Sequence, residues 1–273
     1  MNFVYSLPRT SCIYFLPKIH KPNNPGRPIV SACSCPTELI SSYLDKIMAP
    51  TVRSLPSYIK NSQHALQIFR DLNFLGEDKL RFTMDNTSLY TVITNGEGLL
   101  ALKHFFDLRT VKEPSSETLL RLAELVLTFN CFSFAGNYFK QINGVAMGTK
   151  MGPSYDNLLV GYIENQFFNQ YNSPRPELYR RYIDDCFGAP SSTREDLNQF
   201  ITALNSFHPA LKYTWEISNT SFSVAFLDIK VSIEGDGLCT SVDYKPTDSH
   251  RYLLYSSSHP SHIKNTVPYS QFL

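Results

Sequence analysis

The chain has 273 residues and a nearly balanced charge, with 25 lysine and arginine residues against 24 aspartate and glutamate residues. Hydrophobic residues make up 42% of the sequence and charged residues 18%, which excludes a disordered, collagen-like or coiled-coil chain and provides for a sizeable core. No apolar run of about 18 residues occurs, so no transmembrane helix is predicted, and the first residues lack the pattern of a secretory signal peptide.

Neither the cysteines nor the basic residues indicate a particular ligand by themselves. Six cysteines occur without a C-x-x-C pair or a completing histidine motif, which favours free thiols in a reducing compartment over a zinc site. Residues 1–37 carry four basic side chains (Arg9, Lys18, Lys21 and Arg27) and no acidic one. Such a segment can bind phosphates, although charge alone favours an ordinary solvated surface.

Predicted helices and strands follow one another without a regular rhythm. Five prolines in residues 15–36 indicate an extended, loop-rich opening with short strands. Apolar residues recur at helical spacing in residues 37–48, 62–72, 97–108, 116–129, 153–170 and 193–207. Strands are predicted at residues 80–84, 179–183, 186–188, 212–217, 223–233 and 238–244, with a hairpin at 132–139 that turns at Gly136-Asn137. Because no β-α-β unit repeats, the predicted fold class is α+β.

Two acidic sites lie where predicted strands end. Asp85 follows the strand at residues 80–84, and Asp184 and Asp185 lie at the tip of an apolar hairpin. Carboxylates this close repel one another unless solvent or a cation neutralises them. If the three converge, they form an oxygen-rich site suited to two Mg²⁺ ions and to phosphoryl transfer. An Asp-Asp pair is also favourable in an ordinary turn, so the residues alone leave a structural role open.

A set of motifs in a fixed order resembles a known family, and this resemblance favours the metal site over an ordinary turn. Tyr182-Ile-Asp-Asp185 resembles the Tyr-x-Asp-Asp box of reverse transcriptases. The other matching segments resemble Penelope-like retroelement enzymes, whose fingers motifs are similar to those of telomerase. They are Tyr14-Phe-Leu-Pro-Lys-Ile-His-Lys21 and Arg27-Pro-Ile-Val-Ser31 of the fingers, residues 85–91 of the first palm motif, residues 144–157 of the template-positioning motif, and residues 226–228, 244–248 and 258–260 after the catalytic box. The match spans about residues 14–271.

The resemblance implies a right-hand polymerase with fingers and palm, in which helices back an antiparallel palm sheet and the thumb is largely absent. It assigns residues 1–78 mainly to the fingers, 79–95 to the first palm motif, and 96–143 to connecting helices and a hairpin. Residues 144–233 would form the palm, and 234–273 the end of the palm and the start of the thumb connection. Many relatives carry a C-terminal GIY-YIG endonuclease that this sequence lacks, so the chain is expected to be a fragment.

The implied activity is RNA-directed DNA polymerisation, in which a primer 3′-hydroxyl attacks a deoxynucleoside triphosphate (dNTP). Asp85, Asp184 and Asp185 would be the catalytic ligands of two Mg²⁺ ions, which Mn²⁺ could replace. The expected partners are an RNA template, a DNA primer and dNTPs, without a membrane. Nuclear residence after cytoplasmic synthesis is expected from the resemblance.

The resemblance also implies roles for residues around the carboxylates. Lys18, Arg27, Tyr90 and Gly148 would bind the dNTP, with Tyr90 crowding the sugar 2′ position that distinguishes the two nucleotide classes. Lys21, Thr149 and Pro153 would contact the template or primer. His20 is a further candidate, and a solvated loop is the alternative for His20 and Lys21.

Several positions depart from the family pattern or have weaker assignments. Asn86 replaces the usual valine, while Gly152 and Asp156 replace alanines. Asp156 is expected in the first turn of a helix, where it suits the helix dipole but adds negative charge near template or dNTP. Lys212 is a candidate proton donor to pyrophosphate, with an ordinary surface lysine as the alternative; Asp228 and Asp248 are expected to be structural.

Two other functions remain open at this point. A decayed or co-opted copy would bind nucleic acid without catalysis; intact carboxylates argue against it, and truncation and Asp156 argue for it. A viral RNA-dependent RNA polymerase shares the palm, but Tyr182 in the catalytic box and the bulky Tyr90 disfavour it.

Overall fold

The structure is a computed structural model that describes residues 7–19, 23–72, 80–87, 93–191, 193–218, 223–234, 237–245 and 253–272. Its helices are α1 (Glu38–Arg53), α2 (Ser62–Arg70), α3 (Asn95–Leu108), α4 (Ser116–Thr128), α5 (Gly152–Gln170), α6 (Arg194–Phe207) and α7 (Ser261–Phe272). Its strands are β1 (Ser11–Pro17), β2 (Gly26–Ser31), β3 (Leu80–Asn86), β4 (Cys131–Phe134), β5 (Asn137–Lys140), β6 (Leu178–Tyr182), β7 (Asp185–Ser191), β8 (Tyr213–Ser218), β9 (Val224–Phe226), β10 (Ile229–Glu234) and β11 (Gly237–Val242).

The palm sheet has the strand order β6-β7-β3-β8, and every neighbouring pair is antiparallel. Side chains alternate between the two faces of a strand, so Phe82 and Met84 of β3 are buried while Asp85 is exposed. The buried face packs against α5 and α6, through residues such as Ile163 and Phe200. One face of the palm sheet is therefore part of the core, and the other face carries the carboxylate of Asp85.

The fingers sheet has the order β2-β1-β4-β5 and joins two distant parts of the sequence. Strands β1 and β2 are antiparallel, with Leu16 opposite Arg27, while β4 pairs with β1 in parallel at Ser11 and Phe132. A third sheet, β11-β10-β9, packs on β6, β7 and α2 through a separate apolar cluster.

Helix α5 belongs to two cores at once. Its residues Tyr155 and Leu158 pack with α1, α3 and α4, and its residues Leu159 and Ile163 pack beneath the palm sheet. A helix that is buried nearly all round carries apolar residues on every face, which holds α5 rigidly behind the palm.

The α+β class, the antiparallel palm sheet and its helical backing are confirmed, and most predicted elements end within a few residues of the observed ones. Helix α1 continues past Pro50 to Arg53, beyond the predicted end at residue 48. Helix α7 was not predicted. All six cysteines are free thiols. None of the helices in the described ranges is long and apolar enough to span a bilayer.

One predicted turn and one predicted strand are wrong in their positions, and both differences follow from backbone geometry. The β4–β5 hairpin turns at Ala135-Gly136, where both residues have positive φ (48° and 78°), as a two-residue primed turn requires. The predicted strand at residues 223–233 is divided by Leu227, whose φ of 56° reverses the chain so that Phe226 pairs with Ile229.

Candidate active site

The three predicted carboxylate residues meet at one end of the β3–β7 ladder. Asp85 is the register partner of Asp185, and directly opposite residues in such a pair have Cβ atoms about 4.5–5.5 Å apart. The amide of Asn86 donates to the carbonyl of Asp184 at 3.2 Å, so the turn that bears Asp184 lies against the end of β3. The sequence placed Asp184 and Asp185 together at the tip, whereas Asp185 is the first residue of β7.

We call Ile183, Asp184 and Asp185 the carboxylate turn. Ile183 has a φ of 55°, a left-handed conformation that a β-branched residue adopts at a cost of about 1–3 kcal/mol. The surrounding contacts must therefore hold this turn in place.

Burial and mutual repulsion raise the pKa values of the carboxylate turn. For Asp184 the main cause is partial burial, followed by the charge of Asp85. Burial and then the charges of Asp184 and Asp85 raise the pKa of Asp185 to about 7. The neighbouring carboxylates therefore disfavour ionisation of Asp184 and Asp185, which is the electrostatic condition that a bound cation would relieve.

The metal-binding potential of this cluster lies in its chemistry rather than in a preformed cage. Within the described residues, no three His, Cys, Asp or Glu side chains are gathered as a ready metal-binding group. Three carboxylates supply the hard oxygen donors that Mg²⁺ prefers. The donor set therefore fits the ion by its chemistry, although the three side chains are not gathered into a ready site.

Basic residues from two parts of the chain act electrostatically on the carboxylates. Lys18 and Arg27 both lower the pKa of Asp184, whereas Lys245 lowers that of Asp185. Lys18 and Arg27 come from the fingers end of the chain, and Lys245 follows β11, the strand beside the Asp228 turn. The charge of Asp228 acts in the opposite direction and raises the pKa of Asp185. The charges of the predicted fingers cations therefore act on Asp184, and Lys245 is an additional cation that sequence reasoning had left unassigned.

A cleft of about 280 Å³ lies beside the carboxylates. Asp85 and Asp185 line it together with Trp215, Phe226 and Leu227. Trp215 is the single tryptophan of the sequence, and 46% of its surface is exposed. The cleft thus combines a charged floor with an apolar wall on the side of β9.

Gly148 lies where the segment at residues 144–157 meets strand β2 of the fingers sheet. Its φ is 116°, and a Cβ atom there would lie 2.2 Å from the carbonyl oxygen of Val30. The amide of Val30 donates to the carbonyl of Met147 at 2.7 Å. Only glycine combines this φ with so close an approach. The next residue, Thr149, lies in a turn, and its backbone amide donates to the Ala146 carbonyl.

The start of α5 behaves partly as expected. Pro153 lies at its first turn and is exposed, a position that proline favours because its missing N–H has no helical partner there. Gly152 is buried, with its nearest would-be Cβ contact at 3.7 Å from Val145. An alanine, as the family pattern has, would therefore fit at residue 152.

Asn86 and Asp156, two departures from the family pattern, both face away from solvent. The Asn86 side chain is buried and donates to the Ala210 carbonyl at 3.1 Å, on the opposite face of β3 from Asp85. The expectation for Asp156 was wrong, because α5 begins at Gly152 and has no acidic residue in its first turn. Asp156 is 0% exposed, and neither carboxyl oxygen has a hydrogen-bond partner. Burial, and then the charge of Asp184, raises its pKa far above the ordinary value.

Lys212 is exposed, as the alternative of an ordinary surface lysine expects. Its ammonium group donates to the Asn205 carbonyl at 3.2 Å, and its own carbonyl accepts from Thr87. These contacts connect the start of β8 to α6 and to the end of β3, and the role of Lys212 as a proton donor stays a prediction. His20, Lys21, Tyr90 and Asp248 lie outside the described residues.

Sequence reasoning missed the buried Arg181–Glu164 ion pair behind the carboxylate turn. The Nε of Arg181 donates to Glu164 Oε1 at 2.8 Å, and both side chains are under 5% exposed. The available signal was a glutamate, Glu164, within the predicted helix at residues 153–170, together with two adjacent arginines in the predicted strand at residues 179–183.

Comparisons with known proteins identify the fold. No protein-family profile and no curated protein matches the sequence. Among solved structures, apo telomerase from Candida tropicalis, truncated of its C-terminal domain, has a TM-score of 0.67 at 11% identity, over 87% of this chain and 56% of the other. Telomerase from Candida albicans, solved with a fragment of telomeric RNA, gives 0.66 at 14% identity, over 92% and 47%.

Viral polymerases share the architecture. The RNA-dependent RNA polymerase of a human picobirnavirus has a TM-score of 0.59 at 13% identity, over 84% of this chain and 45% of the other. The chain spans about half the length of these proteins. It therefore has the palm and fingers fold of nucleic-acid polymerases.

Proposed function

We propose that this chain is the reverse-transcriptase domain of a Penelope-like retroelement, an RNA-directed DNA polymerase. The observation that carries the proposal is the pairing of Asp85 with Asp185 beside Asp184, with Lys18 and Arg27 acting on the same carboxylate turn. Two negatively charged groups, a triphosphate and a primer terminus, must meet in such a reaction. An arrangement of carboxylates flanked by cations suits that task.

In this proposal Asp85, Asp184 and Asp185 would hold two Mg²⁺ ions, which would activate the attacking hydroxyl and stabilise the leaving oxygen. Lys18 and Arg27 would bind the triphosphate of the incoming dNTP, Arg27 with a bidentate fork and Lys18 as a point charge. The backbone at Gly148 would allow close approach of the nascent base pair.

The remaining assignments rest on the resemblance. Tyr90 would select deoxynucleotides at the sugar 2′ position, and Lys21, Thr149 and Pro153 would contact the RNA template and DNA primer. The RNA-bound telomerase relative supports a nucleic-acid partner in general terms. The nuclear residence of such elements is part of the same proposal.

Primer extension tests the proposal directly. Wild-type protein, Asp184→Asn and the exposed control Asp71→Asn would be given an RNA template, a DNA primer, Mg²⁺ and either dNTPs or ribonucleotides. We expect dNTP incorporation by the wild type and the control, and a loss of at least a hundredfold in Asp184→Asn. Preference for ribonucleotides would indicate an RNA polymerase instead.

A second candidate, a co-opted copy that binds nucleic acid without catalysis, is favoured by the unpartnered buried carboxyl of Asp156 behind the carboxylate turn. In that case template–primer binding would be equal in all three proteins and independent of Mg²⁺, and none would extend the primer.

A further inference from the structure

Arg181 is the most completely bonded charged side chain behind the carboxylate turn. It belongs to β6, lies two residues before Ile183, and is 1% exposed. Its backbone is anchored on both sides, because its amide donates to the Ser57 carbonyl at 2.6 Å and its carbonyl accepts from Ile59 at 2.8 Å. The guanidinium therefore projects from a fixed position into the space between β6 and α5.

The guanidinium has five N–H donors, and the structure provides five acceptor contacts. Nε and Nη2 bond the two carboxyl oxygens of Glu164 at 2.8 and 3.2 Å. Nη1 and Nη2 bond Asn157, at its side-chain oxygen (2.9 Å) and its carbonyl (3.3 Å). The fifth contact runs from Nη1 to the carbonyl of Ile183 at 3.0 Å.

Glu164 is equally well satisfied. Besides Arg181, its carboxylate accepts from Ser57 Oγ at 2.6 Å and from the Tyr179 hydroxyl at 3.0 Å. A buried ion pair contributes only when such further hydrogen bonds compensate for its desolvation. The burial of Arg181 lowers its pKa, but the charge of Glu164 outweighs this effect and keeps the guanidinium ionised.

The contact with Ile183 links this network to the carboxylates. Ile183 has the left-handed φ that reverses the chain between β6 and β7. Its carbonyl accepts the hydrogen bond from the Arg181 guanidinium. The next two residues are Asp184 and Asp185. A change in the orientation of the Ile183 peptide would therefore alter the direction in which both carboxylates leave the turn.

We propose that Arg181 is a positioning residue for the carboxylate turn: its guanidinium, held by Glu164 and Asn157 of α5, holds the Ile183 carbonyl and thereby orients Asp184 and Asp185. The consequence for catalysis rests on the proposed function, whereas the effect on the turn itself does not. Lysine cannot replace arginine in this role, since three donors on one nitrogen cannot serve five acceptors arranged around a planar fork.

Arg181→Lys tests the proposal, with Arg180→Lys as its matched control. The lysine retains the positive charge opposite Glu164 but loses the hydrogen bond to the Ile183 carbonyl. Arg180 is the neighbouring residue on the other face of β6, where its Nη1 bonds only the Tyr179 carbonyl at 3.0 Å. Native-state amide hydrogen exchange, followed without any metal, would report the mobility of residues 182–186.

We expect exchange in residues 182–186 to be at least tenfold faster in Arg181→Lys than in the wild type, and unchanged within twofold in Arg180→Lys. Terbium ions, which prefer the same oxygen ligands, give a second readout through luminescence sensitised by Trp215 in the adjoining cleft. Their apparent Kd should rise at least fivefold in Arg181→Lys alone. A merely structural role would accelerate exchange over the whole palm sheet together with a loss of thermal stability.

If Arg181→Lys does not fold, Asn157→Ala replaces it, because this variant retains the ion pair and the Asn157 carbonyl while removing the side-chain acceptor. At least threefold faster exchange confined to the carboxylate turn is then expected. Exchange at wild-type rates in a folded variant would overturn the proposal. Failure of the proposed function would look different: the wild type would not extend a primer, while the exchange difference between the two lysine variants would persist.

Discussion

Asp85 and Asp185 lie directly opposite each other in the β3–β7 ladder, although α3, α4 and α5 separate them in the sequence. Like charges at directly opposed positions destabilise a sheet. The protein therefore places a repulsive pair at the point where an ordinary sheet would place an attractive or apolar one. The first prediction follows from that cost.

Replacing one member of the pair should stabilise the metal-free protein. We expect Asp185→Asn to raise the midpoint of thermal unfolding at pH 8 by about 2–4 °C, the shift that about 1 kcal/mol produces in a chain of this size. The same variant should lose any stabilisation by Mg²⁺. A midpoint below that of the wild type in metal-free buffer would contradict the account of repulsion.

The pH dependence of stability should have a definite sign. The pKa values of Asp184 and Asp185 are raised in the folded chain, that of Asp185 to about 7. Their contribution is therefore fully present below the ordinary carboxyl pKa of about 4. It is lost as the pH rises toward and through 7, because the folded state holds protons that the unfolded state has released. Thermal unfolding of metal-free protein between pH 4 and 8 measures this loss.

Magnesium should reverse the same trend. Since the metal competes with protons for the carboxylates, its stabilising effect should be larger at pH 8 than at pH 5.5. The Asp184→Asn variant provides the control, in which the difference between the two pH values should shrink. An equal effect of Mg²⁺ at both values in the wild type would place its binding elsewhere.

Asp156 should be a destabilising residue. Its carboxyl is fully buried without a hydrogen-bond partner, and an unsatisfied buried polar group costs about 1–3 kcal/mol. We expect Asp156→Ala to increase the free energy of unfolding by about 1–2 kcal/mol, with the gain growing as the pH rises above 4 because its pKa is raised in the folded state.

Asp45 is the matched comparison for Asp156. It also faces α5, but it accepts a hydrogen bond from Ser154 at 2.5 Å. Asp45→Ala should therefore reduce the free energy of unfolding in chemical denaturation. If both alanine variants were destabilised alike, the hydrogen bonding of the two carboxyls would not explain their energetics.

The two glycines that flank the start of α5 should respond oppositely to alanine. Gly148→Ala would bring Cβ to 2.2 Å from the Val30 carbonyl at a φ of 116°, so we expect a loss of about 2–4 kcal/mol. Gly152→Ala meets its nearest neighbour at 3.7 Å and should be neutral or stabilising by about 0.5–1 kcal/mol. Urea unfolding of both variants measures the difference, and similar losses would contradict it.

The fingers cations should govern nucleotide affinity more than turnover. Arg27→Gln is expected to raise the KM for dNTP about tenfold or more with a smaller change in kcat, because a charge-assisted phosphate contact is lost. The exposed Lys103, which pairs with Asp107 on α3, supplies the control Lys103→Gln, whose KM should stay within twofold of the wild type. A reduced kcat at unchanged KM would assign Arg27 to another step.

Local patterns in the sequence were sufficient for the elements that carry the site. The alternation in residues 80–84 indicated that Phe82 and Met84 face the core and that Asp85 follows on the other face, although Arg81 on that other face is buried as well. Arg181 could not be assigned in this way. Its partners Asn157 and Glu164 belong to a different element, and the packing of β6 against α5 decides which of two adjacent arginines turns inward. The burial of Asp156 depends on the same packing.

Strand β4 pairs with β1 across more than a hundred intervening residues, and this pairing has a consequence for folding. On a ribosome, β1 and β2 emerge early but must remain without their third strand until the β4–β5 segment has been made. Formation of the palm sheet is delayed further, because β3 can pair with its neighbours only after β7 and β8 have been synthesised. Such non-local pairing slows folding and leaves strand edges exposed until the later strands have been made.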